Sequence, residues 1–416
     1  MLKALKSLVL KLFEEPTIEP SKKYNWFVYL FTSCIVLAEI LGCLLIIRKV
    51  AYTEIDWVAY MQEVSGFLGG EYNYYNLRGD TGPLVYPAGF VYVYSALYYL
   101  TDKGQDIELA QYVFMGVYLA VVVVVLAIYT RVGGLPCWAL LLLSLSKRVH
   151  SIFVLRCFND GLAMLFVYTS ILLFCRNKWR FGCVVFSLAV SIKMNILLFA
   201  PGLLLLLLQS QGVMGTIPCL AICAAVQILL GLPFLLTYPV AYLHRSFELG
   251  RVFMYKWTVN FKFLSEETFV SKTLSIYLLV MMILVLITFA KKWLSSVNKN
   301  SIQLWLPQGA RQLNSYYVVI TMLTSNFIGI VFARTLHYQF YCWYFHALPL
   351  LVWHCRLPLW LRLLVLGSIE YAFNVYPATS ESSIILQLSH ILLLGALWMS
   401  PIQNKLHADK VVEKNQ

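Results

Sequence analysis

Long stretches without charge dominate this sequence and restrict what it can fold into. A helix that crosses a bilayer needs roughly 20 mostly apolar residues. The stretches that approach or exceed this length are 26–47, 108–129, 135–155, 161–175, 182–209, 213–232, 273–290, 315–333, 341–355, 359–374 and 384–400. Segment 182–209 is long enough for two short helices. We therefore predict an all-α polytopic membrane protein with about 11–13 transmembrane helices.

Composition excludes several other classes. Of the 416 residues, 60% are hydrophobic and only 12% are charged, whereas a soluble domain carries about a quarter charged residues. The net charge of +12 does not indicate nucleic-acid binding, because the basic residues form short clusters between apolar runs, where they normally set orientation in the bilayer. The ten cysteines include no C-x-x-C pair, so neither a zinc site nor a disulfide framework is expected.

The distribution of Lys and Arg predicts the orientation of the chain. Leu84–Leu100 is apolar enough to be taken for a span, but a crossing there would move most basic clusters to the far side of the membrane. Placing it in the interface leaves those clusters in the cytosol, which the positive-inside bias favours; Arg48 and Lys49 count modestly against it. We expect one integral membrane domain over 1–416, comprising a cytosolic segment 1–25, a long non-cytosolic loop 49–107 with short interfacial helices, and a cytosolic tail 401–416.

The first loop holds unusual acidic residues. Thr53 is a plausible cap for a short helix that begins near Glu54. In such a helix Asp56, Tyr60 and Glu63 share one face, because residues four and seven positions apart lie above one another. On spacing alone, a solvated interfacial loop whose acids merely cap helices is an equally good interpretation.

A second unusual feature is a set of ionisable residues within or beside apolar runs. A charge at membrane depth costs at least about 2.5–3.5 kcal/mol, so it normally faces a partner or a cavity. The residues are Lys147, Arg148, His150, Arg156, Asp160, Lys193, Arg334 and His337. Pairs such as Arg156 with Asp160 are compatible with structural salt bridges. The set contains more cations than acids, however, which points to an external anion such as a phosphate headgroup.

Several blocks of the sequence carry a family resemblance. They are Glu54–Trp57 with Ala59–Met61, Gly79–Gly89, Arg148–Arg156, Val190–Asn195, Thr324–Ile330, Leu336–Tyr341 and Trp343–His346. From about residue 24 to 400 the chain closely resembles the dolichyl-phosphate-mannose-dependent alpha-1,3-mannosyltransferases of the endoplasmic reticulum, which are GT-C enzymes. Cys157 and Gly161 depart from the Leu and Pro expected there.

The resemblance implies a GT-C-type bundle and a reaction in N-glycan precursor assembly. Mannose passes from dolichyl-phosphate-mannose to a pentamannosyl dolichyl-diphosphate oligosaccharide on the lumenal side of the endoplasmic reticulum membrane, with 49–107 as the lumenal catalytic loop. Asp56 takes the position of the catalytic base, with Glu54 as runner-up. We expect no metal or other cofactor, no nucleic acid, and substrate binding by Glu54, Trp57, Arg78, Asp80, Arg148, Arg156, Asp160, Lys193, Arg334, His337 and His346.

The chemistry of such a transfer agrees with the residue types. A phosphate leaves as an anion and needs no general acid, so a single carboxylate suffices to take the proton from the attacking hydroxyl. Lys, Arg and His can stabilise the departing charge, with Lys193, Arg334 and His337 as the first candidates. The alternatives are another dolichyl-phosphate-sugar transferase and a lipid or sugar transporter, although no internal repeat typical of transporters is visible. A non-catalytic scaffold leaves the buried cations unexplained.

Overall fold

The computed structural model describes residues 26–248, 254–297 and 312–401. The predicted cytosolic segment 1–25 and nearly all of the tail 401–416 lie outside these residues. The described chain is almost entirely helical, with one two-stranded antiparallel hairpin in which Arg78 pairs with Pro83 and Gly79 with Gly82. The predicted all-α class is confirmed.

The helices follow one another closely along the chain. The first eight are α1 Trp26–Lys49, α2 Trp57–Leu68, α3 Ala88–Leu100, α4 Ile107–Val132, α5 Lys147–His150, α6 Asn159–Cys175, α7 Trp179–Ile192 and α8 Ala200–Thr237. The remainder are α9 Pro239–Ser246, α10 Glu266–Val270, α11 Lys272–Val297, α12 Ser315–Val331, α13 Leu348–His354, α14 Leu359–Asn374 and α15 Ser380–Met399. The strands of the hairpin are β1 Arg78–Gly79 and β2 Gly82–Pro83. Short 3-10 and π segments join several helices, at Cys137–Leu143, Ser151–Leu155, Met194–Phe199, Tyr255–Trp257, Tyr338–Trp343 and Phe345–Ala347.

Several helices have the length and composition of membrane spans. Within the described ranges these are Trp26–Lys49, Ile107–Val132, Met194–Thr237, Lys272–Ser295 and Ser380–Met399, which makes five. A sixth arises if the bent pair Cys137–Leu143 and Lys147–Leu155 counts as one span. Shorter apolar helices accompany them, so the protein is multi-pass, but the long helices are fewer than the predicted total of about 11–13.

Three predicted spans are broken. Segment 135–155 changes from 3-10 to α to π geometry and bends by 45°. Segment 341–355 begins with 3-10 turns and becomes an α-helix only from Leu348. Segment 182–209 divides at Lys193, whose backbone is extended (φ −154°, ψ 128°). Apolar composition alone does not reveal such breaks, because it measures transfer into lipid and not the backbone geometry that neighbouring helices impose.

The first loop folds into a cap that packs on the helices of the bundle. Helix α3 has 13 residues, about 20 Å at 1.5 Å per residue, which is shorter than the hydrocarbon layer of about 30 Å. It packs against α2, and their buried side chains form a second hydrophobic cluster together with Phe114 of α4, Phe234 of α8 and Tyr242 of α9. That Leu84–Leu100 lies in the interface and does not cross stays a prediction, which the short length of α3 favours.

The start of α2 differs from the prediction. The helix begins at Trp57 with Asp56 in the N-cap position, not near Glu54. Thr53 does not cap it, because the Thr53 amide donates to the carbonyl of Leu155 at 3.1 Å and so ties the chain to the bundle. The Glu54 Oε1 atom instead accepts from the Val58 amide at 3.1 Å.

Candidate active site

Asp56 lies where the first loop meets the bundle. Its Oδ2 accepts a hydrogen bond from the Tyr60 hydroxyl at 3.4 Å, as the predicted shared helix face requires. Burial raises the pKa of the Asp56 carboxyl; Lys193 and a hydrogen bond from Thr81 oppose the rise, while Asp160 adds to it. A carboxylate with a raised pKa is a stronger base, so the environment suits Asp56 to accept a proton.

The hairpin of the first loop holds Thr81 beside Asp56. Gly79 approaches α2 so closely that a Cβ atom there would lie 2.5 Å from the Ala59 carbonyl oxygen. Gln62 fastens the turn: its amide nitrogen donates to Asp80 Oδ2 at 2.8 Å, and its oxygen accepts from the Asp80 amide at 2.7 Å. Asp80 therefore orders the turn that positions Thr81.

Lys193 is enclosed by polar partners at the break between α7 and the Met194–Phe199 segment. Its Nζ donates to Asp160 Oδ2 at 2.6 Å and to Asn159 Oδ1 at 2.9 Å. The Trp343 indole donates to the other oxygen of Asp160. Asp160 is fully buried and the Lys193 side chain is 11% exposed, so the two form a buried ion pair. The additional hydrogen bonds from Lys193 to Asn159 and from Trp343 to Asp160 fix its geometry.

Aromatic rings complete the surroundings of the ammonium group. The Lys193 Nζ lies 5.4 Å from the ring centroid of Tyr86 and 5.6 Å from that of Phe340, within the range of cation–π attraction. Tyr86 reaches this position because Gly89, at the start of α3, packs directly on Ser191 with no room for a side chain. The Tyr86 hydroxyl is also 3.5 Å from that of Tyr60. Because Tyr60 donates to Asp56, the aromatic rings around Lys193 are connected to Asp56.

Two further predicted cations, Arg148 and Arg156, belong to the segment between α4 and α6. The Arg148 Nε donates to the Phe373 carbonyl at 2.8 Å, and its guanidinium lies 4.7 Å from the Tyr338 ring centroid. Arg156 is half-buried. Its chain neighbours are both held to the first loop, Leu155 by the Thr53 amide and Cys157 by the Tyr94 hydroxyl at 3.1 Å. Arg156 thus lies on the same boundary as Asp56.

Arg334 and His337 lie on a segment that pairs with residues 258–260. The Val259 amide donates to the Leu336 carbonyl at 2.7 Å. Arg334 donates from Nη1 to Ser275 Oγ at 2.8 Å, and the His337 ring stacks on Phe340 at 5.1 Å. His337 therefore shares Phe340 with Lys193.

The remaining predicted site residues occupy other surroundings. Trp57 is completely buried, and its indole donates to the Gly104 carbonyl at 2.9 Å, so it serves the core of the cap and offers no face for sugar stacking. His346 is also buried, and its electrostatic neighbours are Glu39 and His150. Neither side chain is exposed in this structure, and their assignment to substrate binding stays a prediction. Glu54 and Arg78 are exposed.

One set of side chains in the described part of the chain has the composition of a metal site. Ligand atoms of Glu39, Cys43 and His150 lie within 4.8 Å of one another. However, His150 Nε2 is 2.6 Å from Glu39 Oε2, and His150 Nδ1 is 2.8 Å from the Ser146 carbonyl. The polar atoms thus already bond each other, as expected for a buried pair that joins α1 to the α5 segment.

Comparison with known proteins identifies the family. A family profile described as ALG3 protein matches residues 33–383. The chain belongs to the ALG3 protein family. Relatives named Dol-P-Man:Man(5)GlcNAc(2)-PP-Dol alpha-1,3-mannosyltransferase share 50% identity in Arabidopsis thaliana (89% of this chain, 88% of the relative) and 50% in Mus musculus (89% and 87%). The Homo sapiens relative of the same name is 49% identical over 89% and 87% of the two chains.

The structure of this ALG3 family member also adds residues that the sequence did not single out. Asn159, Thr81, Tyr86 and Trp343 all surround the Asp56 and Lys193 side chains. Asn195, two positions after Lys193, has a buried side-chain amide whose nitrogen and oxygen both lack a hydrogen-bond partner within the described ranges. Apart from Asn159, these residues lie in the resembling sequence blocks, which was the available signal, but the blocks alone assign no contacts.

Proposed function

We propose that this protein transfers mannose from dolichyl-phosphate-mannose to the pentamannosyl dolichyl-diphosphate oligosaccharide in α-1,3 linkage. The observation that carries the proposal is the juxtaposition of the Asp56 carboxyl with the caged Lys193 ammonium, in a chain about 50% identical to relatives bearing the name of that activity. We place the reaction in the endoplasmic reticulum membrane with the site facing the lumen, as the distribution of basic residues favours.

The transfer is a single displacement. Asp56 removes the proton from the acceptor hydroxyl as its oxygen attacks C1 of the donor mannose, and the bond between C1 and the phosphate oxygen breaks. The donor is β-linked and the product α-linked, so one inversion is sufficient. Dolichyl phosphate leaves as an anion, and Asp56 later loses the proton to solvent.

Positive charge near Asp56 stabilises the departing phosphate. Lys193 has three donor hydrogens, of which two are directed at Asp160 and Asn159. The third is available for a phosphate oxygen, and its attraction to the substrate is strengthened by the low dielectric of the buried site. Arg334 and His337 are further candidates for binding the phosphate or the sugar of a substrate.

The test is transfer by purified protein in liposomes, with radiolabelled donor and pentamannosyl acceptor. We expect labelled hexamannosyl product with the wild type and none with Asp56→Asn. The matched control is Asp102→Asn, which changes an exposed aspartate of the same loop and is expected to retain activity. Donor that crosses the bilayer without forming a glycosidic bond would identify a transporter, and transfer from dolichyl-phosphate-glucose would identify a sibling transferase.

A separate experiment tests the orientation. A small tag inserted after Asp102, in the first loop, should be protected from proteases in sealed microsomes and become accessible after detergent is added. Accessibility in intact microsomes would contradict the lumenal placement, whatever the activity of the protein.

A further inference from the structure

Arg156 differs from the other cations around the site in what surrounds it. The Lys193 ammonium is paired with a carboxylate, and the Arg148 guanidinium contacts a carbonyl oxygen and an aromatic ring. Arg156 is half-buried, and within the described ranges no hydrogen bond or ion pair to its guanidinium is found. A partly desolvated cation without a partner is costly, so the fold maintains a charge that its own side chains do not neutralise.

The second observation is the presence of another arginine close by. Arg148 acts electrostatically on Arg156, and together with burial, which is the larger cause, it lowers the pKa of the Arg156 guanidinium. Two like charges repel each other unless an anion lies between or beside them. An arginine pair of this kind is therefore suited to a ligand with more than one negative oxygen.

The backbone around Arg156 is held in an unusual conformation. Cys157 has a positive φ of 49°, which is uncommon for a residue other than glycine and typical of functional sites. It lies between Leu155 and Asp160, which are bonded to the first loop and to Lys193 respectively. The turn that carries Arg156 is thus joined to the first loop through Leu155 on one side and to Lys193 through Asp160 on the other.

We propose that Arg156 binds a phosphate group of a polyprenyl-linked substrate. A guanidinium offers paired N–H donors that match two phosphate oxygens, which an ammonium group does not. The proposal rests on the proposed function for the identity of the lipid, because both of its substrates carry phosphate: one in the donor and two in the acceptor.

Steady-state kinetics distinguishes the two phosphates. We expect Arg156→Gln to raise KM by about ten- to a hundredfold for the substrate whose phosphate Arg156 contacts, and Arg156→Lys to raise it less. A rise confined to the donor assigns the monophosphate, and a rise confined to the acceptor assigns the diphosphate. Arg180→Gln, an exposed arginine at the opposite end of α7 from Lys193, is the matched control and should leave both KM values unchanged.

A binding measurement separates this proposal from the proposed function. Short-chain polyprenyl phosphate and the corresponding polyprenol are titrated into wild type and Arg156→Gln, each checked for folding by its thermal unfolding transition. The wild type should prefer the phosphate, and the variant should lose that preference. If folded Arg156→Gln still prefers the phosphate, the role of Arg156 is overturned. The role is also overturned if both KM values are unchanged in Arg156→Gln and in Arg156→Lys. Absence of mannose transfer by the wild type, with the preference intact, overturns only the proposed function.

Discussion

Lys193 Nζ lies 2.6 Å from Asp160 Oδ2, and the other oxygen of Asp160 accepts from the Trp343 indole. Both oxygens of the carboxylate are therefore bonded, and two residues from separate parts of the chain fix its orientation. Both members of the pair also act on the pKa of the Asp56 carboxyl, which Lys193 lowers and Asp160 raises. The ion pair therefore influences the residue that we propose as the base.

Replacing Asp160 with Asn should weaken that base. The change removes a charge that raises the pKa of Asp56 and frees Lys193 to lower it further. We expect the acidic limb of the pH dependence of kcat/KM to move to lower pH, and the plateau rate to fall by about one order of magnitude or more. An unchanged acidic limb in a folded variant would contradict the coupling between the pair and Asp56.

Removing the ammonium group should affect stability and activity in separable ways. Lys193→Met leaves Asp160 buried without a partner, which costs about 3–5 kcal/mol in free energy of unfolding. Lys193→Met combined with Asp160→Leu removes both charges, so most of that stability should return while mannose transfer stays absent. Thermal unfolding in detergent and the transfer assay give the two readouts; recovery of transfer in the double variant would exclude a role for Lys193 in the reaction.

Asp56→Asn should be inactive and yet no less stable than the wild type at neutral pH. The folded protein raises the pKa of Asp56, so it binds the proton more tightly than the unfolded chain does. The contribution of Asp56 to stability is therefore greatest at acidic pH and is lost as the pH rises through its folded-state pKa. Unfolding temperatures across pH should show the advantage of Asn growing as the pH rises; marked destabilisation at neutral pH would show that ionised Asp56 is needed for folding.

Gly79→Ala should impair transfer through the hairpin. The added methyl group meets the Ala59 carbonyl oxygen at 2.5 Å, and backbone cannot move aside as a flexible side chain can. The turn would shift and withdraw Thr81 from Asp56, with an expected loss of about ten- to a hundredfold in kcat/KM, since small displacements of positioning groups have effects of that size.

Gly116→Ala is the matched control for that change. Gly116 lies within α4, and a Cβ atom there would meet nothing within 4 Å. Alanine is favoured over glycine inside a helix by about 1 kcal/mol, so this variant should remain active and gain slightly in stability. Equal losses of transfer in the two variants would indicate general sensitivity to mutation and no special role for the hairpin.

Apolar run length and helical period predicted the features of this structure that depend only on residues near one another in the sequence. Apolar length located most of the long helices within a few residues, and the period of the helix predicted that Asp56 and Tyr60 lie on one face, which their 3.4 Å hydrogen bond confirms. The start of α2 was wrong by about one turn, because Thr53 is held by Leu155. That partner lies a hundred residues away, and no capping preference contains information about it.

The sequence by itself determined that this chain is an all-α membrane protein, that it carries the blocks of its family, and that Asp56 is the first carboxylate to test. Only the tertiary structure decided which cations are neutralised. Asp160 is 33 residues from Lys193 and 183 from Trp343, and spacing cannot show whether charges so far apart in the chain will meet. It decided equally that Trp57 is a core residue and that Arg156 has no partner in the described chain. The physical reason is that burial and charge pairing are properties of packed helices, whereas hydrophobicity and helical period belong to each segment alone.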